Sequence, residues 1–353
     1  MTNRDSGSAP AAARPNRPVH VSGLPSIQGL AVRHLDMDRD LGPMAELIAT
    51  ANRHDGVEWM PTEAGLRNDY DHASGMDIGQ DVLVVEVGGE MVGTAETDWR
   101  PRDGRVFHQV SVIIRPDQRR RGLGRALLRW MEDHVMRGVA RGRRGPLDRG
   151  HIFTGWADQA IEGVEPFLTS EGFRIDGYGV TMVRSLAEPI ADAPLPEGLE
   201  VRPVRPEQHR QIWDADVQAF KDHRYPGVRT EEDFKGWFAT PELDTSIWQV
   251  AWDGDEVAGS VMNFVWPEEN EALGLKRGWH EHISVRRPWR KQGLARALIT
   301  ASMRTFRDLG LDEAVLGADA ENLSGAVRLY ESLGFRRWRT AATYHKDLVL
   351  PRD

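Results

Sequence analysis

The chain has 353 residues, no cysteine, a net charge of −9 and a pI near 5.8. The missing cysteines exclude disulfides, thiolate metal sites and a cysteine nucleophile, and they fit a reducing, cytoplasmic compartment. The acidic balance withholds the basic footprint of a nucleic-acid binder, no apolar run reaches the roughly 20 residues of a membrane helix, and the N-terminus reads as carrying no secretory signal.

Residues 1–26 are rich in Ala, Pro, Ser, Asn and Arg and read as a disordered tail. Residues 27–186 form the first domain, whose clearest hairpin pairs Val82–Val87 with Met91–Glu96 around Gly88 and Gly89. Arg137–Arg149 is basic and glycine-rich and reads as a solvated loop. Ala187–Gly198 carries Pro189, Pro194 and Pro196 and reads as a semi-rigid linker. Residues 199–353 form the second domain. There Leu199–Val204 reads as a strand, and Glu207–Lys221 as a helix with Ile212, Trp213, Val217 and Phe220 on one face. Thr230-Glu-Glu-Asp opens a short helix as a capping box. Ile247–Trp252 and Val257–Val265 flank a hairpin turn. Then come a strand His280–Val285, a helix Gln292–Leu309, a strand Glu313–Leu316, a helix Ser324–Leu333, and closing strands Phe335–Trp338 and Thr343–Val349. The first domain follows the same order. The fold class is therefore α/β (α+β): two tandem domains, each a mixed, mainly antiparallel sheet with helices on both faces.

The two domains are a repeat. Ile114–Leu128 matches Val285–Ile299 without a gap at a separation of 171 residues, the distance from Gly122 to Gly293. Each copy has a later Gly-Phe pair, Gly172-Phe173 and Gly334-Phe335. The repeated unit is a strand, then Arg-x-x-Gly-x-Gly/Ala, then a helix. Amides at a helix N-terminus are unpaired and partly positive, and glycine lets a diphosphate approach them. The Walker spacing is absent. So is the third Rossmann glycine, because Leu127 stands in its place.

A strand followed by this motif resembles the acetyl-CoA loop of the GNAT superfamily of N-acetyltransferases. The resemblance covers roughly 28–185 and 199–350. It extends in the second copy to Asn322-x3-Ala326-x3-Tyr330-x3-Gly334-Phe335. It implies direct acetyl transfer from acetyl-CoA to an amine of a small molecule, without metal. Carried over, the binding positions are Arg290, Gln292, Gly293, Leu294, Ala295 and Arg296, with Val285 flanking the acetyl arm and Asn322 contacting CoA. In the first copy they are Arg119, Arg121, Gly122, Leu123, Gly124 and Arg125. By layout the chain resembles the mycothiol synthases, which pair a degenerate first domain with a working second one.

Acetyl transfer needs a base for the amine and benefits from an acid for the departing thiolate. In the superfamily a tyrosine at the place of Tyr330 sits near the CoA sulfur. Tyr330 also falls on an apolar stripe with Ala326, Leu329 and Leu333, so it doubles as a packing residue. Aligning the Gly-Phe pairs sets Leu168 opposite Tyr330, and leucine cannot donate a proton. The first copy also has Asp158-Gln159 where the second has Asn322. Chemistry is therefore assigned to the second domain, with CoA binding or a scaffold role left to the first. Glu281 shares a strand face with Trp279, Ile283 and Val285, a parity that the β-bulge common at this place in the superfamily would switch, and it is the first choice for the base; His282 is the second. A solvated or salt-bridged carboxylate is the plain alternative for Glu281. His280-x-His282 lacks a third ligand for a metal. Trp237, Trp248 and Trp252 are expected in the core, and Trp266, Trp279 and Trp289 at a cleft. A non-catalytic acyl-CoA sensor is the rival reading. The expected state is a monomer or homodimer without nucleic acid or membrane as partner.

Overall fold

The computed structural model describes residues 18–222, 227–320 and 325–349. The first half runs β1 (Leu30–His34), α1 (Met37–Asp55), α2 (Glu63–Asp71), α3 (Ile78–Asp81), β2 (Val82–Val87), β3 (Glu90–Arg102) and β4 (Arg105–Ile114). It continues with α4 (Leu123–Ala140), β5 (His151–Asp158), α5 (Val164–Ser170) and β6 (Arg174–Ser185). The second half runs β7 (Glu200–Val201), α6 (His209–Phe220), α7 (Glu231–Phe238), β8 (Gln249–Asp253), β9 (Glu256–Val265) and α8 (Pro267–Leu273). It ends with β10 (Arg277–Val285), α9 (Leu294–Asp308), β11 (Glu313–Asp319), α10 (Ala326–Ser332) and β12 (Arg336–Asp347).

Local chemistry sets the helix starts. The Asp36 side chain accepts the Asp38 amide to open α1, and Thr62 accepts the Gly65 amide to open α2. The capping box at Thr230 forms as its sequence suggests: the Asp233 amide donates to the Thr230 hydroxyl, and the Thr230 amide returns the bond to Asp233.

The twelve strands of the described residues join one sheet in the order β1-β2-β3-β4-β5-β12-β6-β11-β10-β9-β8-β7. Strand β2 is buried on both faces. Val82 and Val84 pack in one cluster with Leu41, Met44 and Ile48 of α1, while Leu83 and Val85 join Leu127 and Met131 of α4 on the other side. Helices thus cover both faces of the sheet.

The middle of the sheet departs from a simple tandem. Strand β12 pairs with β5 through Ala341 and Asp158, and β6 pairs with β11 through Ser185 and Glu313. Each half lends its last strand to the other's sheet. Ala342 and Tyr344 accordingly sit in the first core, and Val180 and Met182 in the second. The exchange fuses the halves, because neither sheet is complete without the other's strand.

Several sequence expectations change in detail. The tail expected over 1–26 does not reach its inner end: Val19 donates its amide to Val32 and Val21 is buried. Residues 1–17 lie outside the described residues. Leu199–Val204 gives only the two-residue β7, because Pro203 follows within a residue and cannot donate to the ladder. The two closing strands are one strand, β12, which absorbs register shifts at Arg337/Arg339 and Thr343/Tyr344. The basic Arg137–Arg149 segment is not wholly solvated. Arg144 is buried against Asp81, which also accepts from His134 at 2.7 Å. Among the described residues no helix is long and apolar enough to cross a membrane.

Candidate active site

The two glycine loops are near copies. A 3-10 turn, Pro116–Gln118 or Arg287–Trp289, leads from β4 or β10 into the loop. Arg120 (φ 60°) and Lys291 (φ 61°) take left-handed backbone, as do Gly122 (φ 92°) and Gly293 (φ 90°). No side chain caps α4 or α9, so their first amides face outward. A Cβ placed on Gly122, Gly124 or Gly293 would meet nothing within 4 Å. Leu123 and Leu294, each 1 % exposed, anchor the helix starts in the core.

The arginines expected to face an anion are tied down. Arg119 donates Nε to the Ile114 carbonyl at 2.9 Å and its outer nitrogens to Asp55 at 2.6 and 2.8 Å. Arg290 donates Nε to the Val285 carbonyl at 2.9 Å, one Nη to Asp222 at 2.5 Å and the other to the Ala219 carbonyl. Arg287 also pairs with Asp222, and the two guanidiniums hold that carboxyl well below its usual range. Gln292 donates to the Pro288 carbonyl, Arg296 to Ser332, Arg121 to Gln118 and Arg125 to Glu171. Ala295 is half-buried at the helix start. Asn322 lies outside the described residues.

Beside each loop the parallel strands part. Pairing of β4 with β5 runs only from Val106 to Gln109, and of β10 with β11 only from Arg277 to His280. Beyond these points β4 and β10 expose a free strand edge. Val285 lies on the second one, where an extended amide-bearing arm could add as a strand.

The halves differ upstream. Pairing of β3 with β4 is unbroken from Gly93 to Arg102. Between β9 and β10 the register shifts at His280/His282, so Glu281 is an extra, bulged residue. His280 points toward α9, stacking on Phe306 with its Nδ1 2.7 Å from Asn263 Oδ1; burial drives its pKa down to about 3. Glu281 and His282 then both stand on the opposite side, which places His282 beside Glu281 rather than across the strand from it. Glu281 receives Trp266 Nε1 at 3.3 Å, and His282 Nδ1 lies 2.8 Å from Asp216 of α6.

Glu281 opens into a cavity of about 710 Å³ between the halves. Both halves build its walls: Asp69 and Tyr70 of α2, Glu96 and Asp98 of β3, Trp237 of α7, Phe264 of β9, Glu269 of α8, and Trp279 and Glu281 of β10. The apolar walls of the cavity raise its carboxyls, including Asp69 and Glu281, whose side chains stay open to it. Asp69 is pushed up to about 6, helped by Glu242, and Glu269 to about 7. Desolvation by these walls also raises Glu96, Asp98 and Glu281. Tyr70 donates to Glu96 at 2.7 Å. Such a chamber suits an ammonium-bearing guest. Trp266 and Trp279 line it as expected. Trp289 does not; it donates to Asp253 and stacks under Arg286. Trp248 and Trp252 are in the core, but Trp237 faces the cavity.

Tyr330 is 7 % exposed, packs edge-on to Phe335 and is pushed up to about 12 by burial. Its hydroxyl has no hydrogen-bond partner among the described residues, and it does not line the cavity. Helices α5 and α10 each open on a left-handed glycine, Gly163 and Gly325, which superposes Leu168 on Tyr330. Among the described residues no three His, Cys, Asp or Glu side chains form a metal-sized cluster.

Comparison with known proteins fits this geometry. A family model described as the acetyltransferase (GNAT) family matches residues 45–142 and 209–335. A protein named mycothiol acetyltransferase from Geodermatophilus obscurus is 31 % identical over 322 residues, covering 87 % of this chain and 97 % of that protein. A solved GCN5-related N-acetyltransferase from Sphaerobacter thermophilus superposes with a TM-score of 0.69 at 24 % identity, covering 94 % and 98 % of the two chains. A tandem GNAT protein of the clavulanic acid pathway does so with a TM-score of 0.63 at 16 % identity, covering 92 % and 100 %.

Proposed function

Because the chain belongs to the acetyltransferase (GNAT) family, we propose that it moves the acetyl group of acetyl-CoA directly to an amine of a small molecule, with the chemistry in the second half. Acetyl-CoA would lay its pyrophosphate on the amides at the start of α9 and its arm along the free edge of β10. The amine would enter from the cavity. Its nitrogen attacks the thioester carbonyl, the new C–N bond replaces the C–S bond, and the thiolate departs. Glu281 takes the amine proton, and Tyr330 returns one to the sulfur.

The observation that carries this reading is the bulge at Glu281, which the first half lacks. It sets His282 on the side where the Glu281 carboxyl, of raised pKa, opens into the cavity beside the open strand edge. A base whose pKa rises toward neutrality removes a proton more effectively. With Leu168 opposite Tyr330, the first half lacks the acid as well. The expected test result is that Glu281→Gln lowers kcat/KM for the amine by about 10²–10³ with acetyl-CoA affinity unchanged. Wild-type turnover in that variant would remove Glu281 from the chemistry. A chain that binds acetyl-CoA but releases no thiol with any amine would be a sensor instead. A mycothiol-type acceptor is the second reading of the substrate, supported by the 31 % identity spanning 97 % of a protein so named.

A further inference from the structure

We infer that Asp216 and His282 form a proton relay behind Glu281, carrying away the proton that the acceptor amine gives up. The inference rests on Glu281 as the base. The bulge sets two successive side chains on one side of β10, so His282 is the immediate neighbour of Glu281 there and acts electrostatically on its carboxyl. Asp216 on α6 is 3 % exposed, and its Oδ2 lies 2.8 Å from His282 Nδ1. Its other oxygen is buried without a partner. A buried carboxylate is costly unless a donor meets it, and the histidine Nδ1–H is that donor here. Proton placement on Nδ1 leaves the Nε2 lone pair free to accept.

Nothing among the described residues engages Nε2, and the His282 side chain remains 14 % exposed. The ring is fixed by Trp237 at 4.7 Å and Phe220 at 5.2 Å. The charged groups that face it are Asp216 from α6 and Glu281 from its own strand. Helix α7 presents the Trp237 ring, and the β9 residue in register is Met262. In the first half the position 171 residues earlier is Ser111, which has no imidazole to offer.

The transfer balances without any other reagent. The ammonium of the acceptor loses H⁺ to the Glu281 carboxylate. The resulting carboxylic acid passes H⁺ to His282 Nε2, and Asp216 compensates the imidazolium. The imidazolium then yields H⁺ to water, and Glu281 is again a base. His282 acts through Glu281 and is a positioning residue rather than a group that touches the reacting atoms.

Two measurements on the full chain test this. Nitrogen-15 NMR of histidine-labelled protein reports the tautomer, with His282 identified by its loss in His282→Gln. The expected result is a proton on Nδ1 in the wild type and mixed tautomers in Asp216→Asn. Thiol release from acetyl-CoA is then followed with D-glucosamine and putrescine as probe amines. His282→Gln should lower kcat about 10- to 100-fold with the KM for acetyl-CoA unchanged. Added imidazole should restore His282→Ala but not Glu281→Gln, a rescue that a packing role cannot give. Wild-type kcat in His282→Gln, or no rescue of a folded His282→Ala, overturns the relay and leaves Glu281 standing. No thiol release by the wild type with any probe amine overturns the transfer reading and the relay with it.

Discussion

Arg290 donates its Nε to the carbonyl of Val285 at 2.9 Å, tying the start of the glycine loop to the end of the strand that leads into it. Arg119 makes the same bond to Ile114. With its remaining nitrogens on Asp222 and the Ala219 carbonyl, Arg290 holds the loop in shape rather than presenting free charge to a ligand. A brace and a point charge respond differently to lysine. Arg290→Lys keeps the charge but cannot span strand end, helix end and carboxylate together. Acetyl-CoA affinity is expected to fall about tenfold in Arg290→Lys and in Arg290→Ala alike, read by calorimetry. Retained affinity in the lysine variant would make the charge, not the brace, the contribution.

Gly293 sits at φ 90° with open space where its Cβ would point. Gly293→Asp puts a side chain into backbone that L-residues disfavour, at a cost of about 1 kcal/mol. It also sets a carboxylate over the α9 amides. Both effects oppose a phosphate there. The expected loss of acetyl-CoA affinity at this loop is about 100-fold, or about 3 kcal/mol. Calorimetry that finds unchanged affinity and stoichiometry would move the diphosphate elsewhere.

Glu269 offers a pH signature of the cavity. Burial raises it to about 7 against the amide of Met60, which pulls the other way. The unfolded value is about 4.3. The folded state therefore holds more protons between these limits, and stability falls as pH rises from about 4.3 through about 7. Glu269→Gln, uncharged at every pH, should flatten that slope. It is expected to gain about 1–3 kcal/mol over the wild type at pH 8 and almost nothing at pH 4. Urea melts across this range provide the measurement. A parallel pH dependence in the two proteins would mean that Glu269 is solvated.

The sequence displays what is local and repeated. Both loops, both helices that follow them and the Thr230 cap are legible because glycine spacing, apolar period and capping residues act within a few positions. The strand exchange of β6 and β12 leaves no such trace, since β12 has the same pattern whether it pairs with β5 or β11. The cavity is hidden for the same reason: Asp69, Glu96 and Glu269 are far apart in sequence, and each alone reads as a surface acid. Alternation along β10 separates Glu281 from His282, and only the bulge brings them to one side. The arginines of the loops read as anion ligands because Asp55 and Asp222, their partners, lie in other elements.

Tyr330 and Leu168 separate the two halves most sharply. Tyr330 is packed against Phe335, and its hydroxyl has no partner among the described residues. Tyr330→Phe therefore removes no hydrogen bond among the described residues, and its melting temperature should stay within about 2 °C of the wild type. A phenol pushed up to about 12 is reluctant to ionise. Donation to a departing thiolate therefore requires that thiolate to lie against the hydroxyl as the C–S bond breaks. Loss of such a donor should lower kcat by about 10²–10³ while acetyl-CoA affinity holds. Leu168→Tyr in the first half should add nothing, because β4 there has no bulge and no carboxylate at the position of Glu281. Steady-state kinetics beside thermal melts decide between the roles. Full turnover in Tyr330→Phe would leave the ring as packing alone, with the thiolate departing to solvent unprotonated.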